Sequence, residues 1–332
     1  MPKQRRFVNA GWVAKLCGAL AIGCASLYAD EYVNFGHFIN RPFSEAIAEA
    51  GALPIFIDFS SSQMEESFAE FVRGKALDEI NQTLQIWAPD FFASDCAAPW
   101  KGCNYRFGIF QNSEATHKKT RLIQGINCKM SLEFCDWIVE NHGTDLAKMP
   151  EFSRLIQRLT KLDQVCHKIF LEKVQEIAQT HPQINQIFYS YKGKQRLPIT
   201  LRLIRFETSD RFTMPLHFDI SVMSLVFPSN DAPLDECLVI APADGSFTIE
   251  KLKRPLRPIS ENLNQTTALL ISGTMLTDLD IPVLPTPHGV LPHNRDFRYV
   301  IVACLHIPNL DTSKQSFLLP ILHETPQHLR RS

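Results

Sequence analysis

The stretch PLHFDIS (215–221) places a histidine and an aspartate two residues apart in a run that otherwise has the composition of a β-strand. Because alternate residues of a strand face the same side, His217 and Asp219 project together. Two such polar groups are costly inside a protein unless each is paired or bound to something. An imidazole and a carboxylate supply one nitrogen and one oxygen ligand, so the pair predicts part of a metal site that needs a further ligand from elsewhere.

The segment TPHGVLPHNRDFRYVIVACLH (286–306) offers that further ligand as His288 or His293, just before the last long strand. Two histidines and one carboxylate on one side of a metal leave coordination positions open on the other side. That arrangement is typical of non-haem Fe(II) oxygenases. We favour His288, because His293 lies in the loop-like LPHNRD (291–296) and is interpreted as a surface residue.

The strand that follows carries an arginine on a mostly apolar face. On FRYVIVACLH (297–306), strand periodicity puts Arg298 and Val300 on one face together with Val302 and Cys304. If this face looks into a barrel, the buried guanidinium needs an anion, and its planar fork suits a carboxylate. The alternative is an arginine at the start of a strand that is solvated or paired with a neighbouring acid.

These residues resemble the isopenicillin-N-synthase-like branch of the 2-oxoglutarate/Fe(II)-dependent dioxygenases. That family reads H-x-D, a distal His and, ten residues later, the Arg of an R-x-S on the next strand. This chain has His217-Phe218-Asp219, His288 and Arg298. Three flanking runs are also similar to the family's strands: LPIFIDFS (53–60), LRLIRF (201–206) and ALLISGTMLTDLDI (268–281). The resemblance covers residues 198–308 and extends more thinly over 52–197.

The resemblance implies the cofactors and the reaction. Fe(2+) is expected on His217, Asp219 and His288, with 2-oxoglutarate and O2 as co-substrates, and Arg298 is expected to bind the far carboxylate of 2-oxoglutarate. The implied activity is an oxidoreductase, a dioxygenase that hydroxylates or desaturates a small organic substrate. The implied fold class is α+β, a double-stranded β-helix (jelly-roll) core with a helical N-terminal half.

The sequence departs from the family at three points. Val300 replaces the serine of R-x-S, 68 residues separate Asp219 from His288, and no tyrosine precedes H-x-D, where Arg202 or Arg205 is a candidate substitute. These departures concern 2-oxoglutarate more than the metal. They leave two alternatives: a catalytically degenerate binding protein of the same fold, and a metal-dependent oxygenase that uses no keto acid.

Composition limits the partners. Hydrophobic residues make up 45% of the 332 residues and charged residues 21%, as in a globular protein. A net charge of −1 gives no electrostatic case for nucleic acid, and the basic KLKRPLR (251–257) is interpreted as a solvated loop. No uninterrupted apolar run reaches the roughly 18 residues of a membrane span. The expected partner is a small molecule, and the oligomeric state stays open.

Hydrophobic patterning and the resemblance together predict four segments. They are a signal-like segment (1–29), a mostly helical region (30–197), the dioxygenase domain (198–310) and a C-terminal tail (311–332). The helical region is expected to hold a strand over 52–60, a helix after the serines that follow it, loop and short strand over 84–112, and helices near 130–141 and 150–180. The short β-rich runs after residue 198 favour an antiparallel sandwich or barrel.

The N-terminus predicts export. Lys3, Arg5 and Arg6 precede an apolar run that ends near Ala29, which is typical of a secretory signal. LAIGC, ending at Cys24, loosely resembles a lipoprotein box, and the paired arginines also fit a twin-arginine signal. The predicted location is therefore the periplasm, the medium or a lipid-anchored position. The alternative is a helix packed on a cytoplasmic protein.

Four cysteines bear on the redox state. Cys96 and Cys103 flank a short loop and are able to form a disulfide if the protein is exported. Cys128 and Cys135 are predicted to lie on one helix, about 10 Å apart and too far for a disulfide.

Overall fold

A computed structural model describes residues 32–73, 77–101, 105–111, 115–116, 120–121, 125–209, 214–227, 237–261, 265–291 and 293–311. The helices are α1 (Phe43–Ala50), α2 (Ser61–Arg73), α3 (Leu77–Ala93), α4 (Leu132–Leu146), α5 (Pro150–Ala178) and the one-turn α6 (Met275–Asp278). The strands are β1 (Tyr32–Asn34), β2 (Leu53–Asp58), β3 (Gly108–Gln111), β4 (Ala115–Thr116), β5 (Thr120–Arg121), β6 (Gly125–Ser131), β7 (Tyr189–Tyr191), β8 (Lys194–Arg196), β9 (Ile199–Ser209), β10 (Met214–His217), β11 (Met223–Phe227), β12 (Leu238–Ile240), β13 (Arg254–Leu256), β14 (Gln265–Ser272), β15 (His288–Val290) and β16 (His293–Leu305).

Two antiparallel sheets form the centre of the molecule. The larger has seven strands in the order β2-β14-β11-β16-β9-β6-β3, and the smaller has the order β10-β15-β12. A single bridge between Ile240 and Lys253 connects the smaller sheet to the segment that enters β13. The predicted antiparallel β architecture after residue 198 is confirmed.

The strand order defines the double-stranded β-helix. From β9 to β16 the chain places β9, β11, β14 and β16 in the larger sheet, and β10, β12 and β15 in the smaller one. Within the larger sheet these strands are neighbours in the order β14-β11-β16-β9, so the chain winds repeatedly from one sheet to the other. Two facing sheets with this winding are the jelly-roll architecture. The predicted α+β fold class is therefore confirmed.

Strands from the first half of the chain widen the larger sheet. β2 pairs with β14 at one edge, and β6 pairs with β9 at the other edge and is followed outward by β3. The first half is thus not only a helical support, because it supplies three of the seven strands. The boundary at residue 198 stays a prediction. The signal-like residues 1–29, with the export prediction, and tail residues 312–332 lie outside the described residues.

Apolar residues fill both faces of the larger sheet. Alternate residues of β9 lie on opposite faces of the sheet. Leu201 and Leu203 pack with the helices, whereas Ile204 and Phe206 pack between the two sheets with Val300. The helix α5 lies on the outer face and buries the predicted stripe, including Leu155, Leu159, Leu162, Cys166 and Val174. The inner face of the larger sheet is the one that faces the smaller sheet, and we call it the concave face.

Helix α2 starts as predicted, whereas the prediction of loop over residues 84–93 is wrong. At the start of α2 the Ser60 hydroxyl accepts a hydrogen bond from the Gln63 backbone N–H at 3.3 Å. Helix α3 continues to Ala93 through Pro89. A proline inside a helix costs about 3 kcal/mol. Burial of Trp87 and Phe91 on one face stabilises α3 by about 1.5–3 kcal/mol for each side chain, which outweighs that cost.

Two smaller predictions are corrected. KLKRPLR is not a solvated loop, because 254–256 forms β13, Arg254 and Arg257 are buried, and Arg257 donates to the Thr267 carbonyl at 3.1 Å. Cys128 lies on β6 and Cys135 on α4, so they do not share a helix. Cys103 lies outside the described residues, and its pairing with Cys96 stays a prediction. None of the described helices is both long and apolar enough to cross a membrane.

Candidate metal centre

The smaller sheet brings the three predicted ligands together. His217 ends β10 and His288 begins β15, and these two residues are directly paired in the antiparallel ladder. Directly opposed residues of such a pair project to the same side. Asp219 follows His217 by two residues, in the loop that crosses to β11. All three side chains are buried.

The ligand atoms of these residues lie close enough to share one ion. Nε2 of His217 is 3.6 Å from Oδ1 of Asp219, and Nε2 of His288 is 3.8 Å from the same oxygen. All the ligand atoms lie within 4.8 Å of one another. The two imidazole rings are 4.2 Å apart between centroids and tilted by 51°. One nitrogen from each histidine and one carboxylate oxygen therefore point to a common centre.

Backbone carbonyls fix the orientation of both imidazoles. Nδ1 of His217 is 2.8 Å from the Pro215 carbonyl oxygen, and Nδ1 of His288 is 3.0 Å from the Thr286 carbonyl oxygen. A carbonyl only accepts hydrogen bonds, so each Nδ1 carries the proton and donates it. This leaves Nε2 of each ring facing the centre, which is how metal-binding histidines are oriented.

The pKa values of His288 and Asp219 favour the protonation states in which these side chains bind a metal. Burial, with a smaller contribution from His217, lowers the pKa of His288 to about 4, so its imidazole is neutral near pH 7. Burial by itself raises the pKa of Asp219, but the interactions with His288 and His217 outweigh it and hold the pKa well below its usual range. The site thus pairs a neutral imidazole with an ionised carboxylate.

The loop that carries Asp219 is held by the turn before α6. The Thr274 backbone N–H donates to the Asp219 carbonyl at 2.9 Å, and the Met275 N–H donates to the Ser221 carbonyl at 2.9 Å. The chain approaches so closely that a Cβ on Gly273 would lie 2.1 Å from the Ser221 carbonyl oxygen. Only glycine fits there without moving the Asp219 loop.

The residues present fit a divalent iron. Two imidazole nitrogens and a carboxylate oxygen form the facial set that non-haem Fe(II) sites use. Oδ2 of Asp219 is buried and has no hydrogen-bond partner among the described residues. A buried charged oxygen of this kind is costly unless a cation compensates it. The donor types, their convergence and the uncompensated oxygen therefore agree with a metal at this position.

Arg298 lies on the concave face, as strand periodicity predicts. It is 4% exposed and pairs with Phe206 on the neighbouring strand β9. Its guanidinium carbon lies 5.9 Å from the centre of the Phe206 ring. Val300, which replaces the family serine, is buried two residues along the same face. Arg298 is thus a buried cation beside apolar neighbours.

The two substitutes proposed for the missing tyrosine lie on opposite faces. Arg202 pairs with Val302 and shares the concave face, whereas Arg205 lies on the helix side, 5.1 Å from the Phe297 ring centre. Arg205 is therefore excluded as a substitute. His293, the other candidate ligand, begins β16 opposite Ser209 instead of lying in a loop, and its side chain is outside the described part of the chain.

His306 belongs to the neighbourhood of the site, although no role was predicted for it. It is buried, its Nε2 is 2.8 Å from the Thr200 hydroxyl, and its Nδ1 contacts the Tyr105 hydroxyl. Its backbone N–H donates to the Pro198 carbonyl just beyond the end of β16. The sequence did hold a signal, because His306 continues the alternation that starts with Arg298.

Comparison with known proteins returned solved structures alone. No family model matches the sequence, and no curated protein matches it. JOX2, solved in complex with 2OG, Fe and JA, is similar with a TM-score of 0.48 and 13% identity over 96% of this chain and 87% of that chain. Dioxygenase for auxin oxidation 1 from Arabidopsis thaliana, solved with 2-oxoglutarate, is similar with a TM-score of 0.44 and 12% identity over 81% of this chain and 88% of that chain. The rice dioxygenase for auxin oxidation is similar with a TM-score of 0.45 and 9% identity over 84% of this chain and 83% of that chain. The assignment of the fold rests on the strand order of this chain.

Proposed function

We propose that the chain is a non-haem Fe(II)- and 2-oxoglutarate-dependent dioxygenase that hydroxylates or desaturates a small organic substrate. The observation that carries the proposal is the convergence of His217, Asp219 and His288 inside a double-stranded β-helix. Three protein ligands on one side of the ion leave positions for a bidentate co-substrate and O2. A buried arginine on the facing sheet adds a partner for a carboxylate.

Each residue has a distinct task in the proposed reaction. Bound Fe(II) supplies the redox chemistry that couples oxidative decarboxylation of 2-oxoglutarate, to succinate and CO2, to oxidation of the substrate by O2. His217 and His288 hold their Nε2 lone pairs in place through their Nδ1 hydrogen bonds. Asp219 compensates the charge of the ion, and Arg298 binds the far carboxylate of 2-oxoglutarate. The apolar residues between the sheets exclude water from the reacting groups.

An anaerobic titration tests the proposal. Addition of 2-oxoglutarate to the Fe(II)-loaded protein is expected to give the weak visible charge-transfer band of the ternary complex. Asp219→Ala is expected to lose both the iron and the band. Asp244→Ala is the matched control, because Asp244 is an exposed carboxylate paired with Lys251 at 2.8 Å. Iron binding that is equal in the two variants would contradict the metal site.

The apolar surroundings of Arg298 favour a second candidate, a metal-dependent oxygenase that uses no keto acid. Val300 and Phe206 flank the arginine, and neither side chain is able to donate a hydrogen bond to a carboxylate. This candidate predicts O2 consumption with substrate in the absence of 2-oxoglutarate. A wild-type protein that binds Fe(II) but gives no band with 2-oxoglutarate would support it over the first proposal. No turnover under either condition would favour a degenerate binding protein.

A further inference from the structure

Two cations on the concave face have no task in the proposed reaction. Lys129 on β6 pairs with Arg202 on β9, and Arg202 pairs with Val302 on β16. These three residues therefore form one row across the sheet, with their side chains on the face that contains Arg298. The next row towards the end of β16 is formed by Ser131, Thr200 and Cys304.

The row of Ser131, Thr200 and Cys304 connects the cations to the metal ligands. Cys304 pairs with Ser224 on β11 and accepts a hydrogen bond from its hydroxyl at 3.5 Å. The Ser224 hydroxyl lies 2.9 Å from the hydroxyl of Ser221, which is two residues after Asp219. Burial and the Asp219 charge raise the pKa of the Cys304 thiol to about 11, against a smaller lowering by Arg202 and Lys129. Asp219 and both cations thus act on the same thiol.

Lys129 is held in place by an aromatic cluster. Its Nζ lies 5.1 Å from the centre of the Tyr105 ring, and the Tyr105 hydroxyl contacts Nδ1 of His306. Burial and the charges of Lys129 and Arg202 lower the pKa of His306 well below its ordinary value, against an opposing effect of Asp219. The neutral His306 adds no third positive charge to this end of the barrel. Among the described residues, Lys129 and Arg202 are the cations of this row.

An unsatisfied amide in the adjacent row is the second observation that indicates a ligand. Asn127 pairs with Ile204 on the concave face, is 2% exposed, and has neither a donor for its Oδ1 nor an acceptor for its Nδ2 among the described residues. Leaving a buried amide without partners costs about 1–3 kcal/mol. A polar ligand on the row of Lys129 and Arg202 is within one row of this amide.

We propose that Lys129 and Arg202, with Asn127, bind the carboxylate of the oxidised substrate, so that the substrate class is an organic monocarboxylic acid with an apolar body. The inference rests on the proposed dioxygenase function and names its substrate class. Two cations in one row suit a single anionic group, and Arg202 additionally offers a planar fork. Val302 and Ile204 beside them suit an apolar body.

The same position argues against 2-oxoglutarate as the ligand of these cations, and therefore against Arg202 as the substitute for the family tyrosine. Arg202 pairs with Val302, which is four residues from Arg298 on β16. At about 3.3 Å per residue this separates the two arginines by about 13 Å along the sheet. One carboxylate group does not span that distance. The row of Arg202 is also the one next to Cys304, whereas Arg298 lies further from it.

Equilibrium binding to the anaerobic Fe(II)–2-oxoglutarate protein tests the inference. The probes are benzoate, phenylacetate and octanoate, each compared with its methyl ester by calorimetry. At least one acid is expected to bind, and its methyl ester is expected to bind at least tenfold more weakly. Arg202→Met and Lys129→Met are each expected to lower the affinity for that acid at least tenfold. Arg205→Met is the matched control, because Arg205 lies on the same strand and faces the helices.

The 2-oxoglutarate band separates the possible failures. Arg202→Met and Lys129→Met are expected to keep the band, whereas Arg298→Met is expected to lose it. Esters that bind as tightly as acids, a panel in which no acid binds, or loss of the band in Arg202→Met would each overturn the substrate assignment. Absence of the band in the wild-type protein would instead overturn the proposed dioxygenase function.

Discussion

Replacement of Val300 by threonine tests the carboxylate site next to Arg298. Val300 is 6% exposed, lies opposite Ile204 and is two residues from Arg298 on the same face. Threonine keeps the branched shape of valine and replaces one methyl group by a hydroxyl group. The substitution therefore adds one hydrogen-bond donor beside the arginine with little change in volume.

Two opposing free energies follow from this geometry. Without ligand, the new hydroxyl is buried among apolar neighbours, which lowers the free energy of unfolding by about 1–3 kcal/mol. With 2-oxoglutarate bound, the hydroxyl donates to a charged carboxylate, an interaction of about 1.5–3 kcal/mol. Since about 1.4 kcal/mol corresponds to a tenfold change, the affinity for 2-oxoglutarate is expected to rise about tenfold to a hundredfold.

The measurement combines urea unfolding of the metal-free protein with anaerobic titration of the Fe(II) protein by 2-oxoglutarate. Val302→Thr is the control, because it adds the same hydroxyl two residues further along the same face, opposite Arg202. An unchanged affinity in Val300→Thr, or an equal gain in Val302→Thr, would refute the idea that the far carboxylate lies beside Val300.

Three further predictions concern the ligands, their loop and the buried carboxyl group of Asp163 on α5. His288→Ala is expected to lose stoichiometric Fe(II) binding, measured by metal analysis after desalting, while the exposed His37→Ala retains it; equal metal contents would contradict the ligand assignment. Gly273→Ala is expected to weaken Fe(II) binding at least tenfold, because its Cβ displaces the Ser221 carbonyl and with it the loop of Asp219; unchanged binding would show that the loop adapts. Burial raises the pKa of Asp163 from 3.8 to about 7 in the folded chain, so the native state keeps this proton to higher pH than the unfolded state does. Its stabilising contribution is then complete below about pH 4 and is lost as the pH rises through 7, by up to about 4 kcal/mol. Asp163→Asn is expected to remove this slope from the free energy of unfolding measured between pH 4 and 8, and parallel profiles for the two proteins would contradict the pKa shift.

Periodicity predicted the β elements well where one face is buried. On β16 the alternation placed Arg298 and Val300 on one face, and in the structure both are buried on the face between the two sheets. It was insufficient for α3, because loop and short strand were predicted over residues 84–112, whereas the helix continues through Pro89 to Ala93. Burial of Trp87 and Phe91 against the helical layer decided the local structure there, and that contribution depends on partners distant in the sequence.

The metal ligands were predictable because two of them are local and the third carries a spacing to Arg298. Lys129, Tyr105 and Thr200 were not, because each comes from a different segment and meets the others only through pairing of β6 with β9 and packing at the end of the sheet. A single lysine in a strand carries no sign of its neighbours. Register across the sheet is the information that the sequence lacks.

The pairing of β10 with β15 explains how the centre is ordered before a metal arrives. Each histidine donates from Nδ1 to the carbonyl two residues earlier in its own chain segment, Pro215 for His217 and Thr286 for His288. Pro215 lies within β10, and Thr286 is held by its backbone N–H, which donates to the Ser272 carbonyl at 3.0 Å. Both rings are thus oriented by backbone that is already held in place, so little side-chain entropy remains to be lost on binding. Asp219 differs, because it lies beyond the strand on a loop held by Thr274, and its Oδ2 has no hydrogen-bond partner within the described part of the chain. The histidines therefore supply preorganised geometry, and the Asp219 carboxylate supplies the negative charge that a cation compensates.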